Sequence, residues 1–257
     1  MNLGSKFENQ SVNYKYSCFK EVYGDTMNLE NAIKKPFSDI KTLIIGIALS
    51  ILPVVNFFAM GFAVMCAGVG KTKPSGKMPE WDNWGDLFVK GLMVTVISII
   101  YFVPALVIIL FFAGAMIYSF AGMYFGGNMP MMMRAMSGNQ AASMFATGPL
   151  MGGFPALIAF SPLIILAGLV GLLAFYVLPI AVLSYAEKWN FGDALKFGPV
   201  FKKAFTSAYF VVWIVSLVVL VVLSIVFHWI PIVGSAASFF IGNVINYTLF
   251  GEVYKKL

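Results

Sequence analysis

Four long stretches without a single Asp, Glu, Lys or Arg dominate the chain: residues 42–70, 91–133, 135–186 and 204–251. One helix needs about 20 apolar residues to cross the hydrocarbon core of a bilayer. No alternation of apolar and polar positions at strand period competes, so the pattern predicts helices, which satisfy their own backbone polar groups in lipid. Full spans are expected over residues 91–122, 155–186, 206–229 and 233–251, with a Met-rich outer loop over 123–153. Residues 1–27 form a polar segment without an early apolar core, so the first apolar run is expected to act as an uncleaved insertion signal. In NLENAIKKPFSDIK (residues 28–41), Leu29, Ile33, Phe37 and Ile40 recur at helical spacing among Lys34, Lys35 and Lys41. This predicts a helix lying in the interface and bent at Pro36.

The first apolar run has two readings. Lysines cluster in the N-terminal segment (six), at 71, 73, 77 and 90, at 188, 196, 202 and 203, and at 255 and 256. The positive-inside rule places all of these groups in the cytoplasm and leaves only Arg134 outside. Residues 42–70 must then enter and leave on one side, as a re-entrant or short helical hairpin turning at Pro53 and Asn56. The other reading is one long tilted helix, which puts its two ends on opposite sides. An echo supports the hairpin: ILPVVN (residues 51–56) resembles WIPIVG (229–234), where the last stretch must turn around Pro231 and Gly234. NWGD (83–86) and NFGD (190–193) form a second echo. Together they predict a diverged duplication.

Composition points the same way. Hydrophobic residues make up 60% of the 257 and charged residues 11%, against about 45–50% and about 25% in soluble domains. An all-α integral membrane bundle follows: about four full transmembrane helices, the Pro-turned hairpin and interfacial amphipathic helices, as one domain over residues 28–257. The net charge of +6 reads as attraction to anionic headgroups and as orientation, not as nucleic-acid binding. The expected location is the cell membrane, multi-pass, with both termini cytoplasmic.

The segments KKPFSDIKTLIIG (34–46), ILPVVNF (51–57), MPEWDNWGDLFVKG (78–91) and ISIIYFVP (97–104) resemble a family of archaeal and bacterial membrane proteins called domain of unknown function 4013. The Pro-Glu-Trp-Asp-x-Trp-Gly piece is its most specific part. The resemblance implies a multi-helix membrane fold and supplies no catalytic residues.

Chemistry finds little to work with. The expected spans carry no acidic or basic residue, and the one histidine, His228, lies beside the WIPIVG turn. One His supplies neither a catalytic pair nor a metal cage. GVGKT (68–72) follows an apolar helix and lacks the first glycine of a phosphate-binding loop. Cys18 and Cys66 are expected to be free thiols, and the sequons at Asn9 and Asn246 unused. Met123, Met129, Met131, Met132, Met133, Met136 and Met144 surround Arg134. Thioethers bind Cu(I), but an adaptable apolar surface is the simpler reading here, where no His or Cys lies nearby. No cofactor, metal or catalytic residue is therefore expected. Trp81, Trp84, Asp82 and Asp86 read either as a docking surface or as an aromatic belt with capping acids. Gly234, Ser238, Gly242 and Asn246 recur every four residues and predict a close helix contact, within the chain or between copies.

Two functions remain open. One is a non-enzymatic membrane scaffold or assembly protein whose partner, besides the lipid bilayer, is a membrane protein or a second copy. The other is a transporter or channel for a neutral or lipid-like solute, built on helices broken at Pro53, Pro104, Pro162 and Pro179.

Overall fold

A computed structural model describes residues 28–70, 77–125 and 141–257, with side chains described outside 118–160. The described elements are helices and turns: α1 (Leu29–Lys34), a 3-10 turn (Lys35–Phe37), α2 (Ile40–Ile51), α3 (Asn56–Met65), α4 (Trp84–Phe125), α5 (Ala141–Lys188), α6 (Phe191–Ala194), α7 (Phe197–Ala204), α8 (Ser207–Phe227) and α9 (Val233–Tyr254). They form two compact units, Met1–Ile99 with Tyr176–Leu257, and Ile100–Phe175.

The expected interfacial helix over 28–41 is not continuous. Pro36 sits at the start of the 3-10 turn, where its missing N–H costs least. Asp39 then opens α2 as its N-cap, accepting from the Lys41 N–H at 3.0 Å and from the Thr42 hydroxyl at 2.7 Å. These bonds hold its carboxyl below the usual range, the Thr42 bond most of all. Leu29, Ile33, Phe37 and Ile40 are each exposed.

The backbone is broken between Ile51 and Asn56. Leu52 is extended, at φ −100° and ψ 128°, because the residue before a proline is driven out of the helical region. Asn56 N–H donates to the Leu52 carbonyl at 2.8 Å, which closes the turn. The chain then runs back as α3, which packs on α2. Asn56 is the first residue of α3 and does not cap it. The second turn, between α8 and α9, is tighter. Ile232 adopts φ 63° and ψ −65°, and the Val233 N–H donates to the Pro231 carbonyl at 2.7 Å, a strained γ-turn for a β-branched residue.

In the first unit α9 is the core. It touches α1, the 3-10 turn, α2, α3 and α8. The N-terminal ends of α2, α4 and α8 meet the C-terminal ends of α3, α5 and α9 at one end of the unit. The Trp81 indole N–H reaches the Thr42 carbonyl at 3.3 Å. The Lys90 ammonium lies 4.1 Å from the Trp189 ring centre, and the Tyr254 hydroxyl 2.7 Å from Glu187 Oε2. The second unit holds the rest of α4 and the start of α5, where a Cβ on Gly171 would lie 3.8 Å from Ala105 Cβ.

Several boundaries differ from expectation. The helices run past the charge-free stretches, so their end turns carry Asp86, Lys90, Glu187, Lys188 and Glu252. The outer loop expected over 123–153 is helical at both flanks, through Phe125 and again from Ala141. The helix from Ala141 runs through Gly148, Pro149, Gly152, Gly153 and Pro155, because apolar helices tolerate Gly and Pro more than soluble ones do. Ala141, Ala142, Met144 and Ala146 favour helix throughout. The two echoes also run in opposite order, turn motif first in one half and Asn-x-Gly-Asp first in the other. A tandem duplication does not produce that order.

Candidate functional site

The polar chemistry gathers at the lysine-bearing end of the first unit. Lys35 enters from the 3-10 turn and is only 4% exposed. Its ammonium donates to the Cys66 carbonyl at 2.6 Å. Cys66 closes the C-terminus of α3, where helix carbonyls lack partners and the macrodipole is negative. The Thr248 hydroxyl of α9 also points at that oxygen, at 3.4 Å. Burial pulls the Lys35 ammonium below the usual lysine value, and the Glu252 carboxylate opposes the shift. Glu252 in turn accepts from the Asn28 N–H at 2.7 Å, which ties α1 to α9.

A second network joins α5, α7 and α9. The Tyr254 hydroxyl lies 2.7 Å from Glu187 Oε2 and 3.3 Å from Ser184 Oγ. The Lys203 ammonium lies 3.7 Å from the Tyr254 ring centre, a cation–π contact. Gly70, at φ +66°, sits against the Glu187 backbone, where a Cβ would collide. Lys90 is a third junction. It pairs with Asp86 at 2.6 Å with its side chain 12% exposed. It also reaches Met65 Sδ at 3.7 Å and covers Trp189. Each network places a cation or hydroxyl at the C-terminal end of a helix, which is the stabilising arrangement. What the set does chemically is join helix ends.

The Trp81 cluster is inward-facing in part. The Trp81 ring stacks on Phe62 at 4.1 Å and 15° and on Trp84 at 5.6 Å, and lies 6.3 Å from Phe240. Trp84 stays 45% exposed, and Asp82 and Asp86 are exposed. The segment thus clasps the α2–α3 hairpin through Trp81.

The α9 stripe splits by position. A Cβ on Gly242 would lie 2.9 Å from Leu220 Cδ2, so this residue packs on α8 within the chain. Gly234 faces the Phe227 carbonyl in the turn. Ser238 lines a groove of about 610 Å³ between the ends of α8 and α9, together with Ser224, His228, Pro231 and Asn243. Asn246 is buried, and its Oδ1 has no partner, as is also true of Asn56 Oδ1. The Asn243 amide donates to the Phe239 carbonyl of its own helix at 2.8 Å. Asn56 and Asn246 do not line the groove with Asn243. Of the methionine cluster, residues 129–136 with Arg134 lie outside the described residues, and the side chains of Met123 and Met144 are not described. Cys18 and Asn9 also lie outside.

Sequence reasoning missed Lys35, hidden in a run of lysines whose neighbours Lys34 and Lys41 are exposed. Its one signal is the proline that follows, which breaks the helix and turns the side chain inward. It also missed Gly61 of α3 and Gly91 of α4, whose backbones pack against each other and which no periodic stripe announced.

The burial pattern states the class. Of the four helices among the described residues that are long and apolar enough to span, α8 is the most apolar and the least buried, with 11% of its most apolar window covered. α9 is the least apolar and the most buried, at 72%. Val221, Ile225, Leu110, Phe111 and Leu169 are each more than half exposed. Water does not tolerate that much exposed apolar surface; lipid requires it. The protein is a multi-pass α-helical membrane protein.

Residues 44–232 match the family described as protein of unknown function DUF4013, and the chain belongs to that family. No curated protein and no solved structure matches the chain.

Proposed function

We propose that the protein is a non-enzymatic membrane scaffold or assembly protein that presents lipid-level helix faces to a membrane-protein partner or a second copy. One observation carries the reading: Lys35, Lys90, Glu187 and Tyr254, buried or half-buried polar groups of the lysine-bearing end, all make contacts that join helices of the same chain. The outward face of α8, with Val218, Val221, Val222 and Ile225 exposed, is the surface such a partner would cover. The chain sits in the plasma membrane with its lysine-bearing end, and both termini, on the cytoplasmic side.

Cysteines placed along the α8 face and cross-linked in native membranes test this. A reproducible adduct, to a second copy or to one partner band, supports it. Adducts to lipid alone at every position sink it. Compartment-specific labelling of tags at the two termini checks the orientation.

The groove at the α8–α9 turn favours a second reading, a carrier or channel for a neutral or lipid-like solute. Its lining holds Ser224, His228, Ser235, Ser238 and Asn243 but no Asp, Glu, Lys or Arg. Uptake of such a solute into vesicles containing the reconstituted protein, lost on filling the groove with Ser238→Trp, would favour it.

A further inference from the structure

Between α5 and α8 the chain runs along the lysine-bearing end through α6 and α7. Lys188 ends one span, and Thr206 opens the next as its N-cap, accepting from the Tyr209 N–H at 3.4 Å. The connector is therefore tethered at both ends to helices that enter the bilayer, which fixes its depth at the headgroup level.

α7, FGPVFKKA, is two-faced. Val200 and Ala204, one turn apart, are buried against the unit. The opposite face carries Lys202 and leads into Phe205, which is 64% exposed, and Phe197 on the flank is 49% exposed. Phe205 is braced by Phe201, ring centres 6.0 Å apart at 15°, and by Tyr176 at 5.7 Å. Bare phenylalanines beside a free ammonium are costly in water. They fit the boundary where rings enter the acyl region and cations meet phosphates.

The charge balance agrees. Residues 191–205 hold Lys196, Lys202 and Lys203 against the single acid Asp193. Asp193 is neutralised by Lys196 at 2.5 Å, with only 14% of its own side chain exposed. Lys203 turns inward over Tyr254. Lys202 is left exposed, without an acid partner among the described residues, three residues before the exposed Phe205 ring.

We infer that α7 is a docking face for anionic phospholipid headgroups, with Lys202 meeting the lipid phosphate, Lys196 cancelling the repulsion that Asp193 would exert, and Phe197 and Phe205 seated among the upper acyl carbons. This holds whether the protein acts as a scaffold or as a carrier. It needs only that the chain lies in a membrane.

The test uses the full chain reconstituted in phosphatidylcholine vesicles with a trace of spin-labelled phosphatidylglycerol or spin-labelled phosphatidylcholine. The motionally restricted fraction of each label gives their relative association. The wild type is expected to prefer phosphatidylglycerol by roughly fivefold, as one lysine near the surface implies, with the preference shrinking in high salt. Lys202→Gln should at least halve it, and Lys202→Gln with Lys196→Gln should abolish it. All of these side chains are exposed, so folding should survive, which size-exclusion profiles would check. Lys256→Gln removes one exposed charge elsewhere and should leave most of the preference. No preference in the wild type overturns the inference and leaves an acidic protein as the occupant. An equal loss in Lys256→Gln also overturns it, because the effect is then net charge and not this helix.

Discussion

Gly61 of α3 and Gly91 of α4 pack backbone against backbone. A Cβ on either would lie 3.0 Å from the other's nitrogen and would collide with a carbonyl one turn earlier on the facing helix, that of Leu87 for Gly61 and that of Phe57 for Gly91. The contact is nearly symmetric, and it lets two helices approach more closely than any side chain would allow.

Gly61→Ala and Gly91→Ala should each destabilise the detergent-solubilised protein by about 1–3 kcal/mol, the usual cost of overpacking. The double substitution should cost less than the sum, since one displacement of the helices relieves both collisions. Thermal unfolding of the three variants checks this, and unchanged midpoints would show that the two helices are not held together there.

Lys35 predicts a pH signature. Its ammonium is held below the ordinary value of 10.5, chiefly by burial. Between the depressed value and 10.5 the unfolded chain binds more protons than the folded one, so stability rises with pH across that window. Below the window the cost of burying the cation is present in full. Lys35→Met keeps the apolar stem and removes the titration. Its unfolding midpoint plotted from about pH 8 to 10.5 should lack the alkaline rise of the wild type. Parallel curves would refute the assignment.

Trp81 separates clasp from docking surface. Trp81→Phe keeps the stack on Phe62 and loses the bond to the Thr42 carbonyl, a cost of about 1 kcal/mol. Trp81→Ala loses both, about 2–3 kcal/mol for a half-buried ring. Unfolding midpoints falling in that order confirm the clasp, whereas Trp81→Ala with wild-type stability returns the residue to a docking role.

Gly242→Leu asks whether the α9 stripe serves the chain or a second copy. Its contact with Leu220 predicts a lower unfolding midpoint with an unchanged oligomeric mass by light scattering. A change of mass at wild-type stability would place the stripe between chains.

What the sequence reveals follows from how strongly each signal is tied to solvent. The apolar runs are legible because lipid contact demands them, and α8, from Ser207 to Phe227, sits almost where residues 206–229 were expected. Helix ends are less legible, because α5 carries Gly and Pro that end helices in water but not in an apolar helix, so its start was placed at 155 and not at Ala141. Lys35 and Lys34 are identical letters, and only the 3-10 turn at Pro36 sends one inward. Gly242 was visible because it belongs to a stripe, whereas Gly61 and Gly91 lie on helices far apart in sequence, and nothing in either helix alone marks their meeting.

The two turns, at residues 52–55 and 228–232, contain no Asp, Glu, Lys or Arg. Each short connector joins helices whose other ends meet at the lysine-bearing end, so α2 with α3, and α8 with α9, can be threaded into the bilayer as preformed pairs. For α8 and α9, the pair long enough to span, only uncharged side chains and His228 need cross the hydrocarbon at the turn. The strained Ile232 linkage then fixes the angle at which α8 and α9 fold back on each other, so the pair enters lipid as one unit.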